Sequence, residues 1–182
     1  MNLPTLETRR LWLKPLELAD APQVQAIFPQ WEVVKHLNAK VPWPYPSDGA
    51  LFFFRELALP AMEHGEEWLW TLRPKSAPEN LIGVISLAKS EEENRGFWLD
   101  PKWQRQGLMS EASEAVTDYW FDVLGFPVLR VPKARANTAS LRISQKQGMR
   151  IIWSGERDYV AGRLPSDIWE ITAEEWRTRK RP

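Results

Sequence analysis

The stretch "DPKWQRQGLMSEASEAV", Asp100 to Val116, decides how this chain is read. It sets Gln104, Arg105, Gln106 and Gly107 directly ahead of a strongly helical run. A helix entrance leaves its first N–H groups without intrahelical partners and carries the positive end of the helix dipole. Here those amides point outward beside an arginine, which makes a seat for an anion. Gly107 suits the seat because a side chain there would hold the backbone away from bound phosphates. The same few residues also suit a plain structural turn, so the surrounding order has to decide.

Upstream, "RRLWLKPL" (Arg9 to Leu16) alternates as a strand, and Asp20 with Pro22 opens a helix carrying Val24, Ile27 and Phe28 on one side. Trp31 to Ser47 is expected to lack regular structure, because Pro42, Pro44 and Pro46 remove donors and restrict their predecessors. Ser47 and Asp48 start a second helix through "ALFFFRELALPAMEH", bent at Pro60 and ended by Gly65. Strands at Glu66 to Pro74, Asn80 to Lys89 and Arg95 to Asp100, joined by short polar connections, predict an antiparallel meander.

Downstream, Met109, Ala112, Val116, Tyr119, Trp120 and Val123 share one face of a helix from about Met109 to Leu124, stopped by Gly125 and Pro127. A strand in "FPVLRVPKA" follows, centred on Val128 and Leu129. A short helix is capped by Asn137 and closed by Gly148. "MRIIWSGERDYV" and "SDIWEIT" form a final strand pair, and "EEW" starts a terminal turn. The order β, α, α, β, β, β, α, β, α, β, β predicts an α+β fold: a mixed sheet flanked by helices, in a single domain spanning residues 1–182.

With 182 residues and 43% apolar residues the chain can fill one core. It has no cysteine, which excludes disulfides, thiolate metal sites and a cysteine nucleophile and suits a reducing, cytoplasmic setting. Lys plus Arg and Asp plus Glu are 24 each, so no global charge draws the chain to nucleic acid or an anionic membrane. The basic cluster Arg177 to Arg181 reads as a solvated tail. No apolar run reaches the length of about 18 residues that spans a bilayer, and "MNLPTLETRR" lacks a signal-peptide core, so a soluble, unprocessed protein is expected. His36 and His64 are too isolated for a metal site, and no dinucleotide or triphosphate loop motif is present. Among eleven tryptophans, Trp12, Trp98 and Trp120 sit where periodicity predicts core, whereas Trp31 and Trp43, with Tyr45, lie in irregular sequence.

The loop Gln104, Arg105, Gln106, Gly107, Leu108, Met109 resembles the acyl-CoA pyrophosphate motif, Q/R-x-x-G-x-G/A, of the GCN5-related N-acetyltransferase (GNAT) superfamily. Met109 departs from the small residue usual there, which suggests a tighter or shifted seat. "ANTASLRISQKQGMRIIW", about 30 residues on, resembles the superfamily's N-x-x-A/S... G-F segment, with Asn137 and Ser140 at the helix start and Met149 in place of an aromatic. "LETRRLWLKPLELADAPQV" and "IWEITAEEW" are similar to the branch containing ribosomal-protein-alanine N-acetyltransferases, so the resemblance covers nearly the whole chain.

The resemblance implies a mostly antiparallel sheet that parts between its fourth and fifth strands, Arg95 to Asp100 and Val128 to Lys133. Acetyl-CoA is the implied cosubstrate. Backbone groups of Phe97 and Leu99 would pair with its pantetheine arm, and an N–H near Leu99 would polarise the thioester. Amides from Arg105 to Ser110 would hold the pyrophosphate, and Asn137 would fix the arm's far side while also serving as a helix cap. The tyrosine acid of many members is replaced by Ser144. In the ribosomal-protein branch the proton donor corresponds to Ser140 and the base to Asp158, with Glu156 and Glu91 to Glu93 as further carboxylates. Helix-start and hairpin-surface roles for Ser140 and Asp158 stay open. Trp31, Trp43 and Tyr45 would wall the acceptor side. The implied activity is transfer of an acetyl group to a primary amine, of a protein or peptide N-terminus or a small amino compound. A catalytically silent CoA-binding or protein-interaction module is the alternative, and a homodimer stays open.

Overall fold

The computed structural model describes residues 2–179. Strands β1 (Leu6–Glu7), β2 (Leu11–Pro15), β3 (Glu67–Pro74), β4 (Gly83–Ala88) and β5 (Arg95–Leu99) form one antiparallel sheet in that order. Strands β6 (Val128–Ala134), β7 (Arg150–Tyr159) and β8 (Gly162–Thr172) form a second antiparallel sheet in which β8 lies between β6 and β7. Helices α1 (Ala21–Ile27), α2 (Trp31–Val34), α3 (Gly49–Phe52) and α4 (Leu59–Glu63) precede β3. Helix α5 (Leu108–Asp118) follows β5, α6 (Thr138–Lys146) follows β6, and α7 (Ala173–Arg179) follows β8. The expected α+β, helix-flanked architecture is present, but its strands are divided between two wholly antiparallel sheets rather than one mixed sheet, with the short β1 added at the start.

Alternation in the strands divides two cores. Leu11, Leu13, Trp70, Leu72, Ile85 and Leu87 pack with Met109, Ala112 and Val116 of α5 on one face. Leu69 and Val84 pack with Val24, Phe28, Val34 and Phe54 of the N-terminal helices on the other. Each such apolar side chain removed from water stabilises the fold by about 1.5–3 kcal/mol. Trp120 is core as predicted, whereas Trp12 and Trp98 remain partly exposed, and the Lys75 ammonium lies 4.9 Å from the centre of the Trp12 ring.

Several local expectations are corrected. Trp31 to Val34 is a helical turn rather than irregular, because the prolines begin only at Pro42 and burial of Val33 and Val34 draws the turn inward. The helix around Pro60 widens rather than simply bending: the Leu59 N–H reaches the Phe54 carbonyl, since a proline ring crowds the carbonyl one turn back. The terminal turn is a full helix, α7, with Trp176 buried and its Nε1–H donating to Asp118 Oδ1 at 2.8 Å. In the expected basic tail, Arg177 pairs with Asp122 and Arg179 with Glu114; Lys180 and Arg181 lie outside the described residues.

The two sheets touch through Asn94 and then part. The Asn94 N–H donates to the Arg130 carbonyl at 2.8 Å, and its side-chain oxygen accepts from the Arg130 N–H at 2.7 Å. Its Nδ2 donates to the Ala88 and Ser90 carbonyls, so this buried amide has bonds on every side. Beyond that point β5 has a partner on one edge alone, β4, and the gap between β5 and β6 is the V-shaped opening on which the site is built.

Candidate active site

The anion seat lies where β5 runs into α5. Asp100 caps a short turn, its carboxylate accepting from the Lys102 N–H, and Gln104 turns back to donate through Nε2 to the Leu99 carbonyl at 2.9 Å. Arg105 takes φ +64°, a left-handed conformation uncommon for a residue with a side chain, and Gly107 takes φ +78°. Such strain clusters at ligand clamps. A Cβ on Gly107 would stand 3.4 Å from the Arg10 guanidinium, so the glycine also admits a cation close to the loop. Among the described residues no acceptor meets the backbone N–H groups of Arg105, Gln106, Gly107, Leu108, Met109 or Ser110. Leu108 and Met109 send their side chains into the core, so the bulk of Met109 stands away from the seat.

The walls around this loop are cationic in a way the sequence did not announce. Arg9, Arg10, Lys146 and Arg179 line a cleft of about 240 Å³ with Gly107 and Ser110. Its two carboxylates are neutralised, Glu111 by Arg10 at 2.9 Å and Glu114 by Arg179 at 2.8 Å. Burial pushes the Glu111 carboxyl up, but bonds from Thr8 and Arg10 outweigh it and hold the group below its ordinary value. Arg9, Arg105 and Lys146 have no ion-pair partner among the described residues, which leaves net positive charge facing the seat.

Through the V lies a larger cleft of about 700 Å³ that brings together Phe97, Asn137, Ser140 and Asp158. The Asp100 N–H bonds back to the carbonyl of Ile82, just before β4, and alternation along the strand therefore turns the main-chain groups of Phe97 and Leu99 to the open edge. Asn137 is a true helix cap: its Oδ1 accepts from the Ser140 N–H. Ser140 is buried, and its hydroxyl oxygen accepts from the Lys133 ammonium at 2.5 Å. Lys133 also donates to the Ser140 carbonyl at 3.0 Å and stands 5.0 Å from the centre of the Phe97 ring. It is 5% exposed with no carboxylate partner among the described residues, and burial together with Arg95 holds its pKa well below the ordinary lysine value.

Arg95, equally buried, donates through Nη1 to Thr117 and Gln147, while its Nε and Nη2 meet no acceptor. Burial brings its pKa down to about 10. Ser144, standing where the resemblance places a tyrosine in many superfamily members, has a fully buried hydroxyl without a partner among the described residues.

The carboxylates of the cleft differ in their surroundings. Asp158 is 66% exposed at its side chain and pairs with Arg163 across the hairpin at 3.2 Å. Glu156 is similarly exposed, and Glu93 is tied to Arg157 and Asn38. Glu67, at the start of β3, lines the same cleft without an ion-pair partner among the described residues, and burial raises its pKa. Sequence alternation marks neither Glu67 nor Lys133 by itself, although Lys133 follows Leu129 and Val131 on the inward face of β6, where an apolar residue belongs.

The N-terminal loop reaches the cleft through residues 36–40. Asn38 bridges to Tyr159, the Val160 N–H donates to the Leu37 carbonyl and the Ala161 N–H to the Lys35 carbonyl, so the loop is tied to the tip of the β7–β8 hairpin over the cleft. Trp31 and Trp43 instead pack against each other at 5.6 Å on the surface. Tyr45 packs edge-on to Phe28 in the second core, and burial pushes its phenol up to about 12. None of these three is among the residues lining the 700 Å³ cleft.

No helix among the described residues is long and apolar enough to cross a membrane, and no group of three or more His, Cys, Asp or Glu there could hold a metal ion. Solved structures share the fold. The ribosomal-protein-S5-alanine acetyltransferase from Vibrio fischeri superposes with a TM-score of 0.78 at 14% identity, over 95% of this chain and 98% of that one. RimL, a ribosomal L7/L12 alpha-N-protein acetyltransferase in complex with coenzyme A, gives 0.75 at 16% identity over 93% and 97%. The microcin C7 self-immunity acetyltransferase MccE, in complex with acetyl-CoA and AMP, gives 0.75 at 14% identity over 90% and 93%. No curated protein matches the chain by sequence. The family model of the GNAT acetyltransferase domain, however, matches residues 10–150, across the anion loop, the V and the Ser140 helix, and the chain belongs to the GNAT acetyltransferase family.

Proposed function

We propose that the chain is an acetyl-CoA-dependent N-acetyltransferase that moves the acetyl group to a primary amine by direct attack on the thioester. The observation that carries this reading is the row of unpartnered amides at residues 105–110 beside unpaired cations at the head of a parted sheet. A diphosphate placed there gains charge-assisted hydrogen bonds and the positive end of α5. The open edge at Phe97 and Leu99 suits the two amides of a pantetheine arm, which would lead the thioester toward Ser140 and Asn137. The acceptor enters from the opposite mouth, roofed by residues 36–40. The alpha-N-protein acetylation in the name of RimL, and the ribosomal-protein alanine in that of the S5 enzyme, make a peptide N-terminus the first acceptor class to try.

In this scheme Ser140 faces the leaving sulfur. The amine loses its proton to a carboxylate of the cleft: Glu67, half-buried and unpaired, is the better poised, and Asp158 at the hairpin wall is the second candidate. A panel of peptides and small amines, assayed with acetyl-CoA for thiol release, tests the proposal. Micromolar coenzyme A binding by calorimetry and acceptor-dependent thiol release are expected; coenzyme A binding without release for any acceptor would point to a silent module, and absence of binding would remove the reading altogether.

A further inference from the structure

Lys133 presents a problem that the fold does not explain. Its neighbours along β6, Leu129 and Val131, are core residues, and alternation calls for a third. A buried ammonium needs a counter-charge or full hydrogen bonding to offset lost hydration. Among the described residues Lys133 has no carboxylate partner, and only the narrow part of it that borders the cleft is exposed; its neighbours there are Ser140, through the hydroxyl oxygen and the carbonyl, and the face of Phe97. Another cation, Arg95, adds repulsion. A methionine or leucine would fill this site with less strain on the core, so the lysine stands there against packing.

The direction of the hydrogen bond is informative. Nζ donates to Ser140 Oγ, which leaves the serine's own hydrogen free to point elsewhere in the cleft. A hydroxyl that accepts from an ammonium is a better donor than one in water, because the positive charge beside it draws electron density from the oxygen.

We propose that Lys133 supplies the proton for the leaving group, passing it through the Ser140 hydroxyl to the coenzyme A thiolate as the carbon–sulfur bond breaks. The proposal rests on the acetyltransferase reading above, which brings the thioester past Phe97 to Ser140. The step balances: the amine nitrogen forms the new carbon–nitrogen bond, the sulfur departs with the electron pair of the old carbon–sulfur bond, Ser140 gives its hydrogen to that sulfur and takes one from Lys133. Lys133 is left as a neutral amine. The proton released by the acceptor nitrogen restores it through the water-filled cleft. A lysine at its ordinary value would hold its proton too tightly to pass it on quickly near neutrality, and burial loosens it. Because it acts through Ser140, Lys133 is a positioning residue.

The test uses the whole chain, whose lack of cysteine makes coenzyme A the one thiol present. With protein in excess, the rate at which bound coenzyme A reacts with a disulfide reagent is followed against pH for the wild type, Lys133→Met, Lys133→Gln and Lys133→Arg, with coenzyme A binding measured by calorimetry in each. The bound thiol should ionise about one pH unit or more lower in the wild type than in Lys133→Met and Lys133→Gln, an ammonium nearby favouring the thiolate. In turnover, both neutral variants should lose about 10²-fold in kcat with little change in the acetyl-CoA KM. The fall in wild-type rate as pH rises through the lowered Lys133 pKa should vanish in the neutral variants and move to higher pH in Lys133→Arg. Equal thiol ionisation in wild type and in either neutral variant that still binds coenzyme A would overturn the proposal while leaving the acetyltransferase reading intact. Failure of the wild type to bind coenzyme A would overturn both.

Discussion

Glu67 shows how its surroundings can suit a single side chain to a chemical role, here the proposed one of base. It opens β3 opposite Ala88, on the face of the sheet that looks into the cleft, and no cation lies within ion-pair distance among the described residues. Burial is the cause of its raised pKa. A base works only when ionised, so the sign follows: kcat/KM should rise with pH through the Glu67 pKa, above the ordinary value of 4.5, and level off beyond it. Glu67→Gln should lower kcat by about 10²-fold and flatten that acid limb, while Asp158→Asn lowers it less. A pH–rate profile settles the matter: an unchanged acid limb in Glu67→Gln would pass the role to Asp158. At this scale the sequence was legible where a motif fixes position. The amides of residues 105–110 and the Asn137 cap were readable because helix entrances have local rules. Glu67 and Lys133 were not, since what distinguishes them is burial without a counter-charge, and that arises only when β3, β5 and β6 come together. Lys133 did leave a trace, a charged residue on an apolar stripe.

Among elements, the hinge of the V is set by Asn94, which lies just outside β5 and ends the pairing between the two sheets. Its side chain satisfies two carbonyls and one N–H. Asn94→Ala strands these buried groups, and a loss of about 1–3 kcal/mol is expected in chemical denaturation. The same change frees β5 and β6 to shift, so coenzyme A affinity should fall more than for a surface variant of equal stability. A variant as stable as the wild type would show that water replaces the amide. Strand order explains what could and could not be foreseen. The antiparallel meander β3–β4–β5 followed from short polar links, and α5 from its apolar stripe. The placement of β8 between β6 and β7 was not readable, because a hairpin of two similar strands presents either edge to a neighbour. The turn at Trp31–Val34 was hidden by the prolines that follow it, and the widened turn before Pro60 by a strong helical pattern.

For the whole molecule, a net charge of zero conceals a division of labour between two mouths. On the α5 side, Arg9 and Lys146 line the cleft beside the anion loop with no ion-pair partner among the described residues, while Arg10 and Arg179 are held by Glu111 and Glu114. On the hairpin side, Lys40, Arg157 and Arg163 share the cleft with Glu93, Glu156 and Asp158, most of them in ion pairs, so positive and negative charge nearly cancel. On the proposed reading the coenzyme, with its phosphates, would be drawn to one face, and the acceptor would meet a balanced surface on the other. Screening should separate the two. Mobile ions shorten the reach of exposed charges from about 30 Å at 0.01 M to about 3 Å at 1 M. The apparent KM for acetyl-CoA should therefore rise several-fold across that range, while the KM for an acceptor with one amine and no other charge stays within about twofold. Arg9→Gln combined with Lys146→Gln should raise the acetyl-CoA KM at low salt and remove most of its salt dependence, since the charges that salt would screen are gone. Steady-state kinetics at the two salt concentrations measure this directly. Equal salt sensitivity for both substrates, or a double variant as salt-sensitive as the wild type, would place the coenzyme's phosphates away from the α5 mouth.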